Sequence, residues 1–103
     1  MSQKEEVSGG LLDAALVLDD LAAGRVPDRA RLLSGTSALD TLRSSGIANR
    51  DMLDAAAGLK AIARGGSPYL DETGRALAGA LAVAVRAFYA SGEWEAWVRP
   101  PGS

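Results

Sequence analysis

Neither cysteine nor histidine occurs among the 103 residues of the chain. Those two absences remove disulfide cross-links, thiol nucleophiles, imidazole bases and the usual zinc ligands. Aromatic side chains are scarce as well, with two Trp, two Tyr and one Phe, so a core must be built mainly of aliphatic residues. There is no excess of positive charge: 11 basic residues against 13 acidic ones give a formal charge of −2 at pH 7. A chain so balanced gathers neither nucleic acid nor anionic lipid by net charge. Long hydrophobic runs are missing too. The longest nearly uncharged stretch, Ala76 to Ala90, is interrupted by Arg86 and is shorter than the roughly 20 apolar residues that span a bilayer. The opening Met1-Ser-Gln-Lys-Glu-Glu is charged and unlike a signal peptide. A cytoplasmic protein without a membrane partner is therefore expected.

What is present favours helix. Ala, Leu, Arg and acidic residues dominate while Val, Ile and Thr are sparse, so intrinsic propensity selects helix wherever Gly or Pro does not forbid it. The length suits one core and not two. The expected architecture is all-α, a compact bundle of four to five helices with a long Ala-rich core helix near the C-terminus. Residues 1–7 read as a flexible polar arm, residues 8–98 as one helical domain, and residues 99–103 as a flexible tail.

Punctuation places the elements. Ser8 is suited to cap a first helix reaching Ala23, with Gly24 closing it. Pro27 disfavours helical geometry at Val26 and suits the first turn of a short second helix, over about Asp28 to Leu33. Ser34-Gly35 predicts a stop, after which Ser37 and Asp40 frame a two-turn helix to Ser44. Asn49 is positioned to cap a further helix with Met52, Ala56, Leu59, Ile62 and Ala63 as its apolar stripe. Gly65-Gly66-Ser67-Pro68 predicts a turn that brings the last helix, about Asp71 to Ala90, back antiparallel.

The first and last helices are apolar beyond one stripe. At about 100° per residue, Leu11, Ala14, Ala15, Leu18 and Leu21 share a face of the first helix, and Leu12, Leu16 and Val17 fall outside it. Such a helix contacts neighbours on two sides, within the fold or across a subunit boundary. In the last helix, rows of small residues that include Ala80 and Ala84 let another axis approach closely, with Leu77, Leu81 and Phe88 as bulk beside them. That row serves either intrachain packing or a dimer seam.

Two Trp three apart near the C-terminus, Trp94 and Trp97, form either a docking element or a plug for one end of a core short of bulk. The candidate protein-interface residues are accordingly Leu12, Leu16, Leu77, Leu81, Phe88, Tyr89, Trp94 and Trp97. No catalytic, cofactor-binding or metal-binding residue is expected. Carboxylate neighbours such as Asp51 with Asp54 or Asp71-Glu72 occupy first helical turns, where the dipole favours acids.

The function these features support is protein binding without catalysis, by a small bacterial cytoplasmic regulator, adaptor, chaperone or inhibitor that self-associates, as a dimer. The alternative is a helix-turn-helix regulator using residues 36–64. It has to contend with Asp51 and Asp54 beside Asn49 and Arg50 at the start of the reading helix, where acids repel phosphate.

Overall fold

The computed structural model describes residues 3–98. Among them four α-helices follow in order, α1 (Gln3–Ala22), α2 (Arg29–Ser44), α3 (Arg50–Ala63) and α4 (Glu72–Ser91), and a 3-10 turn, Glu93–Trp97, completes the chain. No strand occurs among the described residues. The all-α bundle expected from propensity is what forms, with four helices and a long Ala-rich fourth one. The expected tail, residues 99–103, lies outside the described residues.

Three helices begin at side-chain caps. The Asp28 carboxylate accepts from the Arg31 N–H at 3.1 Å, the Asn49 side-chain oxygen from Met52 N–H at 3.2 Å, and Asp71 from Gly74 N–H at 2.7 Å. Each satisfies a donor that the first turn leaves without an intrahelical partner. At the other end of α4, Gly92 takes φ +76°, a left-handed conformation that stops the helix.

Two boundaries differ from those expected. The polar arm is not separate: α1 starts by Gln3, because Glu5 and Glu6 favour the first turn, Val7 is buried and Lys4 pairs with Glu95 at 3.3 Å. Nor does Ser34-Gly35 break α2, which runs unbroken for 16 residues. The hydroxyls of Thr36 and Thr41 donate to the carbonyls of Leu32 and Ser37, so these residues bond back to the helix instead of ending it. Gly35 has a different role. It lies where α1 and α2 cross, and a Cβ there would sit 2.8 Å from Ala14 Cα. With Gly10 against Ala38 in the same crossing, backbones meet at a distance only small residues permit.

The helices alternate in direction. Ser8 Oγ donates to Tyr89 Oη at 3.2 Å at one end, the Arg75 guanidinium lies against Gly24 at the other, and Arg29 donates to the Ala63 carbonyl at 3.4 Å. The first end therefore gathers the start of α1, the end of α4 and the 3-10 turn. The second gathers the end of α1, the starts of α2 and α4, and the end of α3. Flanked by α2 and α4, α1 buries Leu11, Ala14, Ala15, Val17, Leu18 and Leu21. Val17, outside the expected stripe, is buried because that cover comes from two sides.

Candidate functional site

The eight expected interface residues divide into two groups. Leu81, Phe88 and Trp94 lie inside the fold, each at most 6 % exposed. The correction to an exposed aromatic tail has a clear cause. The turn after Gly92 folds back, the Trp94 indole N–H donates to the Tyr89 carbonyl at 3.1 Å, and the two rings stack with centroids 5.8 Å apart and planes 4° off parallel. Tyr89 and Trp97 are partly buried against the same core, so this cluster closes the first end of the bundle. Of the two meanings open to the Trp pair, the plug describes the fold. Leu12, Leu16 and Leu77 stay exposed, at 44 %, 39 % and 54 %.

Leu12 and Leu16 do not stand alone. Between α1 and α4, Arg86 grips Asp19 with both nitrogens, Nη1 donating to Oδ1 at 3.0 Å and Nη2 to Oδ2. That hydrogen bonding holds the Asp19 carboxyl below its ordinary range against an opposing push from burial. The Arg86 guanidinium is correspondingly pushed up by its bond to Asp19.

The pair also fixes orientation. At about 100° per residue, Leu12 and Leu16 lie on the Asp19 stripe of α1, while Gly79, Val83 and Ala90 lie on the Arg86 stripe of α4. These side chains consequently face the same way, and Val83 is 68 % exposed. Ala76, Ala80 and Ala87 extend the strip along α4, all exposed. The result is a two-helix apolar face crossed by one internally neutralised ion pair. Leu77 lies on the far edge of α4, away from it.

Val83 is hard to single out in the sequence because Arg86 is the one polar residue marking the solvent side in the middle of α4. The available signal was its angular position, opposite Leu81 and Val85 and next to Arg86.

The remaining sequence candidates are not brought together into a site. Among the described residues no polar or charged side chain is buried, and no group of three or more acidic residues is placed to hold a metal ion. Asp51, Asp54, Asp71 and Glu72 are exposed, and Asp71 is used as a cap. An open groove between α2 and the 3-10 turn is lined by Thr36, Ser37, Asp40, Thr41 and Trp97, but the Thr36 and Thr41 hydroxyls there are spent on helix carbonyls.

In the helix-turn-helix segment, the Asn49 side chain caps α3 and Arg50 faces Asp54 at 3.6 Å. Arg43 and Lys60 both pair with Asp40, at 3.1 and 3.5 Å. Three of the segment's cations, Arg43, Arg50 and Lys60, are thus paired with acids, two of them sharing Asp40. No helix of the described residues is long and apolar enough to cross a membrane. The chain matches no protein-family model, and no curated protein and no solved structure matches it, so a functional reading has to rest on its own surface.

Proposed function

We propose that the protein is a non-catalytic protein–protein interaction module, a small regulator, adaptor, chaperone or inhibitor of the bacterial cytoplasm that docks on other proteins and on itself. The observation carrying this reading is the uncovered apolar face of α1 and α4, with Leu12, Leu16 and Val83 between 39 % and 68 % exposed around the Asp19–Arg86 pair. Contiguous apolar surface of this kind is uncommon on a chain that acts alone. A cysteine-free, Ala- and Arg-rich composition supports the reducing bacterial interior. The helix-turn-helix alternative gains no support from α3, whose first turn carries Asp51 and Asp54 beside Arg50.

The test compares the parent protein with Leu16→Arg as baits. Leu16 is already partly solvated, so the variant keeps its helical circular dichroism. If α1 and α4 form the docking face, associations of the parent disappear with Leu16→Arg and survive nuclease treatment. An unchanged set of associations would remove the reading.

A further inference from the structure

We infer that the cleft between α2 and α3 is a second docking site, which takes a short acidic, partly apolar peptide segment of a partner protein. This site is separate from the α1/α4 face and does not depend on it. The cleft has a volume of about 330 Å³, at the lower end for a ligand pocket and enough for a few side chains. Its floor is apolar, made by Leu53, Ala56, Ala57 and Ala61, and its walls carry Asp40, Arg43, Lys60 and Arg64. Arg29 closes the end nearest Arg64, reaching from the start of α2 to the Ala63 carbonyl at 3.4 Å.

Charge selects the occupant. Four cations, Arg29, Arg43, Lys60 and Arg64, surround one carboxylate, Asp40, in a chain whose net charge is −2. No carboxylate of the described residues pairs with Arg29 or Arg64. The carboxylate shared by the other two is loosely held. Lys60 stands 3.5 Å from its Oδ2, and Oδ1 accepts no hydrogen bond among the described residues although Arg43 is 3.1 Å away.

The remaining acids do not restore the balance in the cleft. On these two helices, Asp28 is engaged as the α2 cap, Asp54 faces Arg50, and Asp51 lies about 180° round α3 from Lys60. On the other flank of α2, Glu5, Glu6 and Asp13 line the groove toward α1. Asp19 and Asp20 are bonded to Arg86 and Arg25. Asp71 and Glu72 begin α4, which packs on α1 and α3 and lies across the bundle from α2, and Glu93 and Glu95 belong to the 3-10 turn.

The floor decides which kind of anion fits. From Leu53 to Arg64 the cleft runs about 16 Å along α3, the reach of about five extended residues. A phosphate backbone would use the cations alone, and its further charges would meet Asp51 and Asp54. An acidic peptide uses both parts of the cleft, its carboxylates meeting Lys60, Arg64 and Arg29 while an apolar side chain covers Ala57 and Ala61.

Fluorescence anisotropy of an N-terminally labelled Glu-Glu-Leu-Glu-Glu amide, titrated with the full chain, tests the site. Binding at about 10–100 μM is expected at low salt, weakening about 10-fold by about 0.2 M salt. Arg29→Glu and Arg64→Glu should each weaken it about 5–10-fold with unchanged helical circular dichroism, because both residues are exposed. Ala57→Glu, at another exposed helical position, should abolish it by setting a carboxylate one turn from Lys60. Asp40→Asn should tighten it about 3-fold or more, even where it lowers stability, an effect that a purely structural role does not produce. Leu16→Arg, on the opposite side of the bundle, should leave it unchanged.

A peptide that stays unbound at about 1 mM protein, or that binds without regard to Arg29→Glu and Arg64→Glu, overturns the site. Equal binding of the peptide with Gly in place of Leu would make the cleft a bare anion site. Tighter binding of a thymidine oligomer of about ten nucleotides would assign it to nucleic acid. Either result overturns the acidic-peptide occupant. If the peptide fails while Leu16→Arg still abolishes association with other proteins, the reading of the α1/α4 face stands by itself.

Discussion

Gly35→Ala tests the packing on which the rest of the fold depends. In most helix interiors a Gly-to-Ala change gains about 1 kcal/mol from propensity alone. Here the new methyl would lie 2.8 Å from Ala14 Cα, 2.9 Å from its nitrogen and 3.0 Å from its Cβ. The first two are backbone atoms of α1, which cannot rotate away. Relief requires the two helices to part by about 0.5–1 Å, at a cost in the overpacking range of about 1–3 kcal/mol, here near its top. After the propensity gain, a net destabilisation of about 1–2 kcal/mol is expected, which lowers Tm by about 4–15 °C for a domain of this size.

Gly58→Ala supplies the internal control. Gly58 sits in the middle of α3, exposed, with nothing within 4 Å of a Cβ built there. It should stabilise the protein by about 0.5–1 kcal/mol. Urea titration of parent and both variants, followed by circular dichroism, gives the two signs in one experiment. If Gly35→Ala stabilises the protein as Gly58→Ala does, α1 and α2 do not meet through their backbones and the account of the crossing is wrong. Gly10→Ala adds a cross-check, because its methyl would strike that of Ala38 and the double change with Ala38→Gly should recover part of the loss.

Three further outcomes follow from the contacts. Trp94→Ala removes a buried indole and the Nε1 bond to the Tyr89 carbonyl and should cost about 3–5 kcal/mol, seen as lost helicity near physiological temperature; an unaltered melt would return the residue to the surface. Asp71→Ala deletes the α4 cap and should cost about 1 kcal/mol, measurable as a lower urea midpoint at constant m-value. Because the hydrogen bond from Arg86 holds the Asp19 carboxyl below its ordinary value, the pair's contribution is complete above that ordinary value and is lost as pH falls through the depressed one. Asp19→Asn should therefore trail the parent at pH 7 by no more than about 1 kcal/mol, the pair being largely exposed, and the gap should narrow as acid protonates Asp19; a gap independent of pH would show that the pair does not exist in solution.

Local signals made the helical class, the Asn49 cap and the stop at Gly24 legible in the sequence, because each is decided within a few residues. Ser34-Gly35 was misleading for the opposite reason. Taken locally, Ser, Gly and Thr in succession end a helix, and only the crossing with α1 shows that Gly35 is there for its missing side chain. The Trp pair posed a further difficulty. A spacing of three says that Trp94 and Trp97 stay close in a helical turn, and it says nothing of which one turns inward. That choice is made at the end of α4, where the Tyr89 carbonyl accepts the Trp94 indole N–H beside the backbone N–H of Gly92. The α1/α4 face was half legible, since Leu12 and Leu16 stood out against a polar strip while Val83 lay hidden in an unbroken apolar stretch.

The outer sides of α3 and α4 make the clearest comparison within the molecule. Both are surface helices of one bundle, built from a similar Ala-rich composition. Outward, α3 turns Arg50, Asp51 and Asp54 in its first turns and the small residues Ala57, Gly58 and Ala61 beyond them, with Arg64 at its C-cap, so no large apolar side chain is exposed there. By contrast, α4 turns Ala76, Ala80, Val83, Ala87 and Ala90 outward, and Arg86, the one charge in its middle, is bent over to Asp19. Folding of the single chain places no demand on these outward positions, which contribute nothing to its core, and polar residues there would cost the bundle almost nothing. On the proposed reading, their apolar character is that of a docking surface. The bidentate pairing of Asp19 with Arg86 suits such docking, because a charge satisfied within its own chain can be taken out of water at far lower cost than one that needs a partner across the interface.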